Sequence, residues 1–217
     1  HTLFAKEVTF INKNMPIVDK IEFIPGLKSL ELDNNNIREI RSNAFALNKD
    51  LTILSIRNNK ENEMKLENST FFGLEKLHEL HLENSLLVSL KSDQFTGLKT
   101  LNLMNLEGCG ISFIEVNAFR GLTNLTELYI SFNQIETFFS ETFLGLGNMK
   151  IIEFYGNPIR TVETNAFKGL TKLTQLDLSY NQIETILSGT FFGLDNLDKL
   201  ALYANPIKKL EADAFTG

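Results

Sequence analysis

The sequence is poor in the residues that build most catalytic and metal sites. It has one cysteine and three histidines in 217 residues. A single cysteine excludes an intrachain disulfide, a cysteine-ligated zinc site and a redox pair. The chain also has no nucleophile motif and no phosphate-binding glycine loop. We therefore expect a protein that is not an enzyme and that needs no cofactor.

Long apolar runs and an excess of positive charge are also lacking. No segment approaches the roughly 20 apolar residues that cross a bilayer. Residues 1–6 lack the basic start and apolar run of a signal peptide, so we expect a soluble, already trimmed chain without membrane insertion. The formal net charge of −6 argues against nucleic acid and anionic membranes as partners. A basic or neutral partner fits this charge better.

What the sequence does have is a repeat. Successive units open 24 residues apart, with one interval of 26, at Leu27, Leu51, Leu77, Leu101, Leu125, Met149, Leu173 and Leu197. Counted from the opening residue, and allowing for the two extra residues of the second unit, positions 1, 4, 6 and 19 are apolar in all units. Residues 1–26 form a degenerate first repeat before these eight. Internal repeats of this period predict a solenoid, so we expect a single repeat domain over residues 1–217.

Four columns of the repeat indicate structural roles. Apolar residues alternate at positions 4 and 6, as in Leu128 and Ile130, which predicts one short strand per unit with a buried face. Position 19 is phenylalanine in every unit, which predicts a stack of core rings. Position 9 is an amide that can bond the backbone of a buried turn: Asn35, Asn59, Asn133, Asn157, Asn181 and Asn205, with Ser85 and Cys109 in the two remaining units. In this column Cys109 is expected to be buried and unreactive, with a reactive surface thiol as the alternative.

These columns resemble the 24-residue typical leucine-rich repeats of animal extracellular proteins, over residues 27–217. The units are similar to those of Toll-type receptors, Slit-like adhesion proteins and the variable lymphocyte receptors of jawless fish. The resemblance implies an α/β repeat solenoid: a right-handed horseshoe with a concave parallel sheet and a convex side of loops and short helices. Family members carry cysteine-rich caps, which this sequence lacks, so we expect a fragment of a longer chain.

Few residues offer other chemistry. Glu79, His81 and Glu83 alternate along a predicted strand and form a weak candidate metal site; a solvated polar strip is the more common outcome for such a cluster. Asn68 and Asn124 begin Asn-x-Ser/Thr triplets and are candidate glycosylation sites. Asn68 lies in the polar insert of the longer unit, residues 60–68, which we expect to bulge from the turn or the convex side.

Functional residues are best sought at positions 3, 5, 7 and 8, which the repeat leaves free. All four tyrosines fall there, and with one phenylalanine they predict a contiguous aromatic patch with an acidic rim. The patch residues are Tyr129, Phe132, Tyr155, Tyr180 and Tyr203. The rim residues are Glu107, Glu127, Glu153 and Asp177. Aromatic residues also favour strand surfaces for packing alone, but exposed patches of this kind usually mark a partner site.

Two functions fit this pattern. The first is an extracellular recognition module, such as a receptor or immune-type ectodomain, that binds a protein or glycan ligand, basic in charge, on the concave face. The alternative is a structural adhesion or matrix protein that self-associates, as a homodimer, through the sheet or an edge. An intracellular scaffold is a third possibility, which the flanking sequence would decide.

Overall fold

The computed structural model describes residues 6–67, 69–140 and 142–216, and its main element is a nine-stranded parallel sheet. Every strand of this sheet has three residues, and each strand pairs with the strands of the preceding and following repeat units. The strands are β1 (Glu7–Thr9), β3 (Ser29–Glu31), β5 (Ile53–Ser55), β7 (Glu79–His81), β9 (Leu103–Asn105), β11 (Glu127–Tyr129), β13 (Ile151–Glu153), β15 (Gln175–Asp177) and β17 (Lys199–Ala201). The prediction of a parallel sheet solenoid is confirmed.

A two-residue strand follows each of these strands on a second side of the solenoid. They are β2 (Ile17–Val18), β4 (Glu39–Ile40), β6 (Lys65–Leu66), β8 (Ser89–Leu90), β10 (Phe113–Ile114), β12 (Thr137–Phe138), β14 (Thr161–Val162), β16 (Thr185–Ile186) and β18 (Lys209–Leu210). These short strands pair in parallel in four separate groups, β2-β4-β6, β8-β10, β12-β14 and β16-β18. Backbone pairing is thus continuous on one side of the solenoid and interrupted on the other.

The register explains how the longer unit fits. Most paired residues are 24 apart, as in Glu127 and Ile151, but Ile53 pairs with Glu79. The two extra residues fall between β5 and β6, where residues 60–63 are exposed, so the insert leaves the sheet pairing intact.

The core contains the apolar columns of the repeat. Leu128, the middle residue of β11, is buried, and so are the corresponding residues of most of the other strands. The phenylalanines of position 19 stack from Phe45 to Phe215 with ring centroids 5.4–6.5 Å apart between successive units. They are buried except for Phe215, which is 54% exposed in the last unit. A phenylalanine of this column is therefore buried because a further unit stacks on it.

The short helices expected on the convex side, and with them the α/β class, are not confirmed, since the described residues contain turns but no helix. The reason lies in the backbone. Consecutive turns such as Arg41 O to Ala44 N and Asn43 O to Ala46 N close these segments, and Asn43 has a φ of 60°. A residue in the left-handed region breaks the regular helical bonding pattern. Corresponding positive φ values occur at Asp93, Asn117 and Asn165.

No helix in the described part of the chain is long and apolar enough to cross a membrane.

Candidate binding surface

The solvent side of the nine-stranded sheet, here called the sheet face, presents the residues that the core does not use. In strands such as β7, β11 and β13 the middle residue is buried and the two outer residues are half-buried. The side chains at positions 7 and 8 follow at the end of each strand. Because the strands pair in register, each repeat position forms a row across the sheet face.

Among the three candidate metal ligands, His81 lies between Glu79 and Glu83 and contacts both carboxylates. Nε2 of His81 lies 3.2 Å from Oε2 of Glu79, and its Nδ1 lies 3.3 Å from Oε1 of Glu83. Burial lowers the pKa of His81, but the hydrogen bonds to Glu83 and Glu79 outweigh this and raise it above 6.5. Nε of Arg57 is 3.2 Å from Oε1 of Glu83. Both ring nitrogens are thus engaged, and within the described ranges no group of His, Cys, Asp and Glu side chains could hold a metal ion.

The acidic residues of the later units have no such partners. Within the described ranges, no basic group lies within ion-pair distance of Glu107, Glu127, Glu153 or Asp177. Burial, the Glu107 carboxylate and the Asp177 carboxylate raise the pKa of Glu153, against the attraction of Lys199. Burial and Glu83 raise the pKa of Glu107. The middle of the sheet face therefore carries negative charge that the chain itself does not neutralise.

Four aromatic side chains form one row beside these carboxylates, here called the aromatic row. Ring centroids of Phe132 and Tyr155 are 5.2 Å apart, those of Tyr155 and Tyr180 are 4.8 Å apart, and those of Tyr180 and Tyr203 are 5.4 Å apart. Phe132, Tyr180 and Tyr203 are each more than half exposed. The four rings thus contact one another in sequence, and Tyr155, in the middle of the row, is half-buried.

Tyr129, the fifth ring of the expected patch, is not part of this row. Its hydroxyl donates a hydrogen bond of 2.8 Å to Oε2 of Glu127 on the same strand. Burial and this hydrogen bond raise the pKa of Tyr129 to about 12. In the described residues no ring contact joins it to the four others. The reason is its place at position 5 within the strand, whereas the four rings follow the strands at positions 7 and 8.

A small residue stands next to each ring of the aromatic row in the sequence. Positions 7 and 8 alternate between large and small in the last four units: Ser131 and Phe132, Tyr155 and Gly156, Ser179 and Tyr180, Tyr203 and Ala204. A Cβ added to Gly156 would lie 3.1 Å from Cδ1 of Phe132, so this glycine leaves room for the neighbouring ring. The serines of the alternation are buried. The alternation at these two positions is the sequence signal that identifies them.

Two rings of the row stand on unusual backbone. Position 8 has a positive φ in every unit from Asn34 to Ala204. Asparagine and glycine occupy it in five units, since they tolerate the left-handed region best. Phe132 with a φ of 57° and Tyr180 with a φ of 54° adopt it as well. For bulky side chains this conformation is rare and costs energy.

The amides of position 9 lie behind the face and connect the units. Oδ1 of Asn133 accepts a hydrogen bond from the Ile111 amide at 2.9 Å, and its Nδ2 donates to the carbonyls of Leu106 and Ile130, both at 2.9 Å. The other amides of the column make the same kinds of bond: Asn35, Asn59, Asn157, Asn181 and Asn205. These bonds fix the turn from which the aromatic row projects.

The remaining predicted residues lie away from the aromatic row. Cys109 is buried, its Sγ is 3.0 Å from the carbonyl oxygen of Leu82, and burial raises its pKa to about 12. Asn124 is exposed, and its Nδ2 donates to the Lys99 carbonyl at 2.7 Å. Asn68 lies outside the described residues.

Known proteins share this architecture. A leucine-rich-repeat family model matches residues 25–83, 75–135, 101–159, 123–183 and 149–207. Among curated proteins, none matches the chain significantly. The structure of TLR13 in complex with ssRNA13 is 27% identical with a TM-score of 0.78, and the match covers 86% of this chain and 26% of TLR13.

Two further structures share the fold. The Drosophila Toll–Spätzle complex matches with 21% identity and a TM-score of 0.81, over 88% of this chain and 25% of that one. A leucine-rich-repeat protein of Leptospira interrogans matches with 22% identity and a TM-score of 0.69, over 83% and 44%. This chain spans about a quarter of the length of the TLR13 and Toll chains. With five overlapping matches over residues 25–207 and a continuous parallel sheet, the chain belongs to the leucine-rich-repeat family.

Proposed function

We propose that this chain is a non-catalytic recognition module, part of a receptor or immune-type ectodomain, that binds a protein or glycan ligand on its sheet face. The observation that carries the proposal is the aromatic row, four contiguous rings of which three are more than half exposed. Tyrosine is favoured at binding surfaces because it offers a large rigid area with a polar tip at low entropy cost. The similarity to TLR13 and Toll supports a receptor and an extracellular or endosomal location.

The sheet face is proposed to be concave, which would let a ligand contact several units at once. Neighbouring strands in a sheet are about 4.8 Å apart. The stacked phenylalanine rings of successive units are 5.4–6.5 Å apart. The units are thus closer together at the sheet than at the phenylalanine stack. This difference favours a curved solenoid with the sheet face on its concave side.

Nucleic acid is the less favoured ligand for this face. The related TLR13 structure contains an RNA, so RNA must be part of any test. Here the rings lie beside carboxylates without ion-pair partners among the described residues, such as Glu153 and Asp177. Phosphate groups would meet repulsion there, because backbone contacts to nucleic acid need basic side chains.

Self-association through the same rings is the alternative function, as in an adhesion or matrix protein. Three of the four rings are more than half exposed, and a second copy could cover them. Sedimentation at micromolar concentration separates the two functions. A monomer favours recognition, whereas a dimer that dissociates on Tyr155→Ala favours self-association.

A screen against arrayed secreted proteins, glycans and RNAs tests the proposed site. Tyr155→Ala and Tyr180→Ala are expected to weaken binding of the ligand found by about 2 kcal/mol or more, which is roughly 30-fold. Their thermal stability should change little, because both rings lie outside the core. Association with a basic ligand should slow as salt rises.

Glu136→Ala and Lys168→Ala are the matched controls, since both residues are exposed and lie outside the sheet. They are expected to bind like the wild type. If these controls lose binding while the tyrosine variants keep it, the ligand binds elsewhere and the proposed site is wrong.

A further inference from the structure

We infer that the ligand of the sheet face is a protein segment rich in arginine or lysine, whose cationic side chains lie against the aromatic row and pair with the carboxylates beside it. The inference rests on the proposed function and specifies the chemistry of the ligand. It rests on two observations, the backbone conformation at two of the rings and the unpaired carboxylates of the adjacent strands.

The backbone conformation at two rings indicates that these rings serve ligand binding and not the stability of the chain. Phe132 and Tyr180 hold positive φ values at a position that five other units give to asparagine or glycine. Burial does not compensate for this conformation, since Phe132 is 60% and Tyr180 is 53% exposed. Asparagine would fit the same backbone with less strain. A contact with a ligand would explain why the rings stand there.

The charge indicates what that ligand carries. Across three adjacent strands Tyr129 pairs with Glu153, and Glu153 pairs with Asp177. The carboxylates of Glu107 and Asp177 both repel that of Glu153, and no basic group of the described chain lies within ion-pair distance of these three residues. Lys199, on the next strand, only partly offsets this charge. A cation from outside would remove the repulsion.

The units that open at Leu51 and Leu77 show the contrast. There the chain supplies its own cations, with Arg57 3.2 Å from Glu83 and His81 between Glu79 and Glu83. In three of the four units that carry the rings, the carboxylates of Glu127, Glu153 and Asp177 have no such cation within ion-pair distance in the described chain.

Arginine satisfies both features at once. Its planar guanidinium stacks on aromatic faces and pairs with carboxylates, and lysine makes weaker versions of both contacts. A neutral glycan could stack on the rings but would leave the carboxylates unpaired. Nucleic acid could stack as well but would bring phosphates to acidic side chains.

Three peptides of equal length test the inference by isothermal titration calorimetry. One alternates arginine with glycine, the second has citrulline for arginine, and the third has glutamate. Citrulline keeps the shape and loses the charge. We expect the arginine peptide to bind, the citrulline peptide to bind about tenfold more weakly or worse, and the glutamate peptide not to bind.

Variants locate the peptide on the rings. Phe132→Asn and Tyr180→Asn are each expected to weaken binding of the arginine peptide about fivefold or more, with a melting temperature equal to or above the wild type. Asn34→Gly is the matched control, because it changes the same left-handed position in a unit that carries no ring. It should leave binding of the arginine peptide unchanged.

A charge-matched pair completes the test. Glu153→Gln, on the sheet face, should weaken binding, whereas Glu136→Gln, which removes the same charge from an exposed residue outside the sheet, should not. Equal binding of the arginine and citrulline peptides, or wild-type binding by Phe132→Asn and Tyr180→Asn, would overturn the inference.

Failure of the inference can be told apart from failure of the proposed function. If arrayed neutral glycans or uncharged proteins bind through Tyr155 and Tyr180 while the arginine peptide does not, the sheet face is a recognition site for a different ligand class. If no ligand found on the arrays depends on Tyr155 or Tyr180, the proposed function is wrong as well.

Discussion

Replacing Phe143 by alanine tests the stacked core most directly. Phe143 is fully buried, and its ring centroid lies 5.9 Å from that of Phe119 and 6.0 Å from that of Phe167 in the units on either side. Phe138 and Phe154 also lie against it, both at 5.7 Å. Deleting a buried phenylalanine ring costs about 3 to 5 kcal/mol, and the cost is highest where the surroundings cannot collapse. We expect the upper part of this range, because rigid rings pack against Phe143 from several directions.

Phe215→Ala is the matched control, since it removes the same ring from the same column at the end of the stack. Phe215 is 54% exposed and contacts Phe191 on one side. Full burial of a phenylalanine side chain is worth about 1.5 to 3 kcal/mol, so losing a half-buried ring without creating a closed cavity should cost about 1 kcal/mol. The free energy of unfolding is measured in urea by circular dichroism for both variants. If Phe143→Ala costs no more than Phe215→Ala, the ring does not fill a closed site and the assigned repeat register is wrong.

Three further changes test other parts of the structure. Asn133→Ala should destabilise the protein by about 2 to 4 kcal/mol in the same urea assay, because it removes the side-chain partner of the buried Ile111 amide and of the Leu106 carbonyl. Asn124→Ala, in an exposed turn, should cost less than about 1 kcal/mol. Cys109 should react with a bulky thiol reagent only after denaturation, because burial raises its pKa to about 12; rapid labelling of the folded protein would contradict its placement. Glu153→Gln should melt at a higher temperature than the wild type at pH 7, and the difference should shrink as pH falls towards the ordinary glutamate pKa. The sign follows from the raised pKa of Glu153 in the folded state. Because the folded protein binds a proton at Glu153 more tightly than the unfolded protein does, the charged carboxylate destabilises the fold at a pH above the folded-state pKa. This destabilisation disappears at a pH below the unfolded-state pKa. A constant difference across that range would show that charge at Glu153 is not the cause.

The architecture could be predicted from the sequence because each apolar column has one structural solution. Alternating residues such as Leu128 and Ile130 require a short strand, and 24-residue spacing places the strands side by side in parallel. The column of phenylalanines requires a shared core. None of these inferences needs information from outside a single unit and its neighbours.

The helices could not be excluded in the same way. Whether a connection of this length forms turns or a helical segment depends on backbone conformation at a few residues. Asn43 and Asn117 adopt positive φ values, but asparagine occurs in both left-handed and ordinary conformations. Its presence in the sequence therefore does not decide between a turn and a helix.

The candidate surface was predicted in its position and only partly in its composition. The repeat placed Tyr155, Tyr180 and Tyr203 on one face, and their rings do come into contact. The repeat pattern could not show that the Tyr129 hydroxyl bonds to Glu127 and that its ring stays apart from the other three. Tyr129 lies within a strand, whereas the other tyrosines lie in the turns that follow their strands, and the repeat pattern does not distinguish these two settings.

In a repeat protein, the residue at each position of one unit can be compared with the residues at the same position of the other units. At position 9, Cys109 departs from asparagine but remains buried and keeps a bond to the carbonyl of the preceding unit, Leu82; such a departure leaves the scaffold role of the position in place. At position 8, Phe132 and Tyr180 depart from asparagine and glycine in the opposite way, since they add strain and leave their rings in water. A departure of that kind does not stabilise the fold. Its occurrence in units that also hold carboxylates without a basic partner favours a binding role for Phe132 and Tyr180 over a structural one.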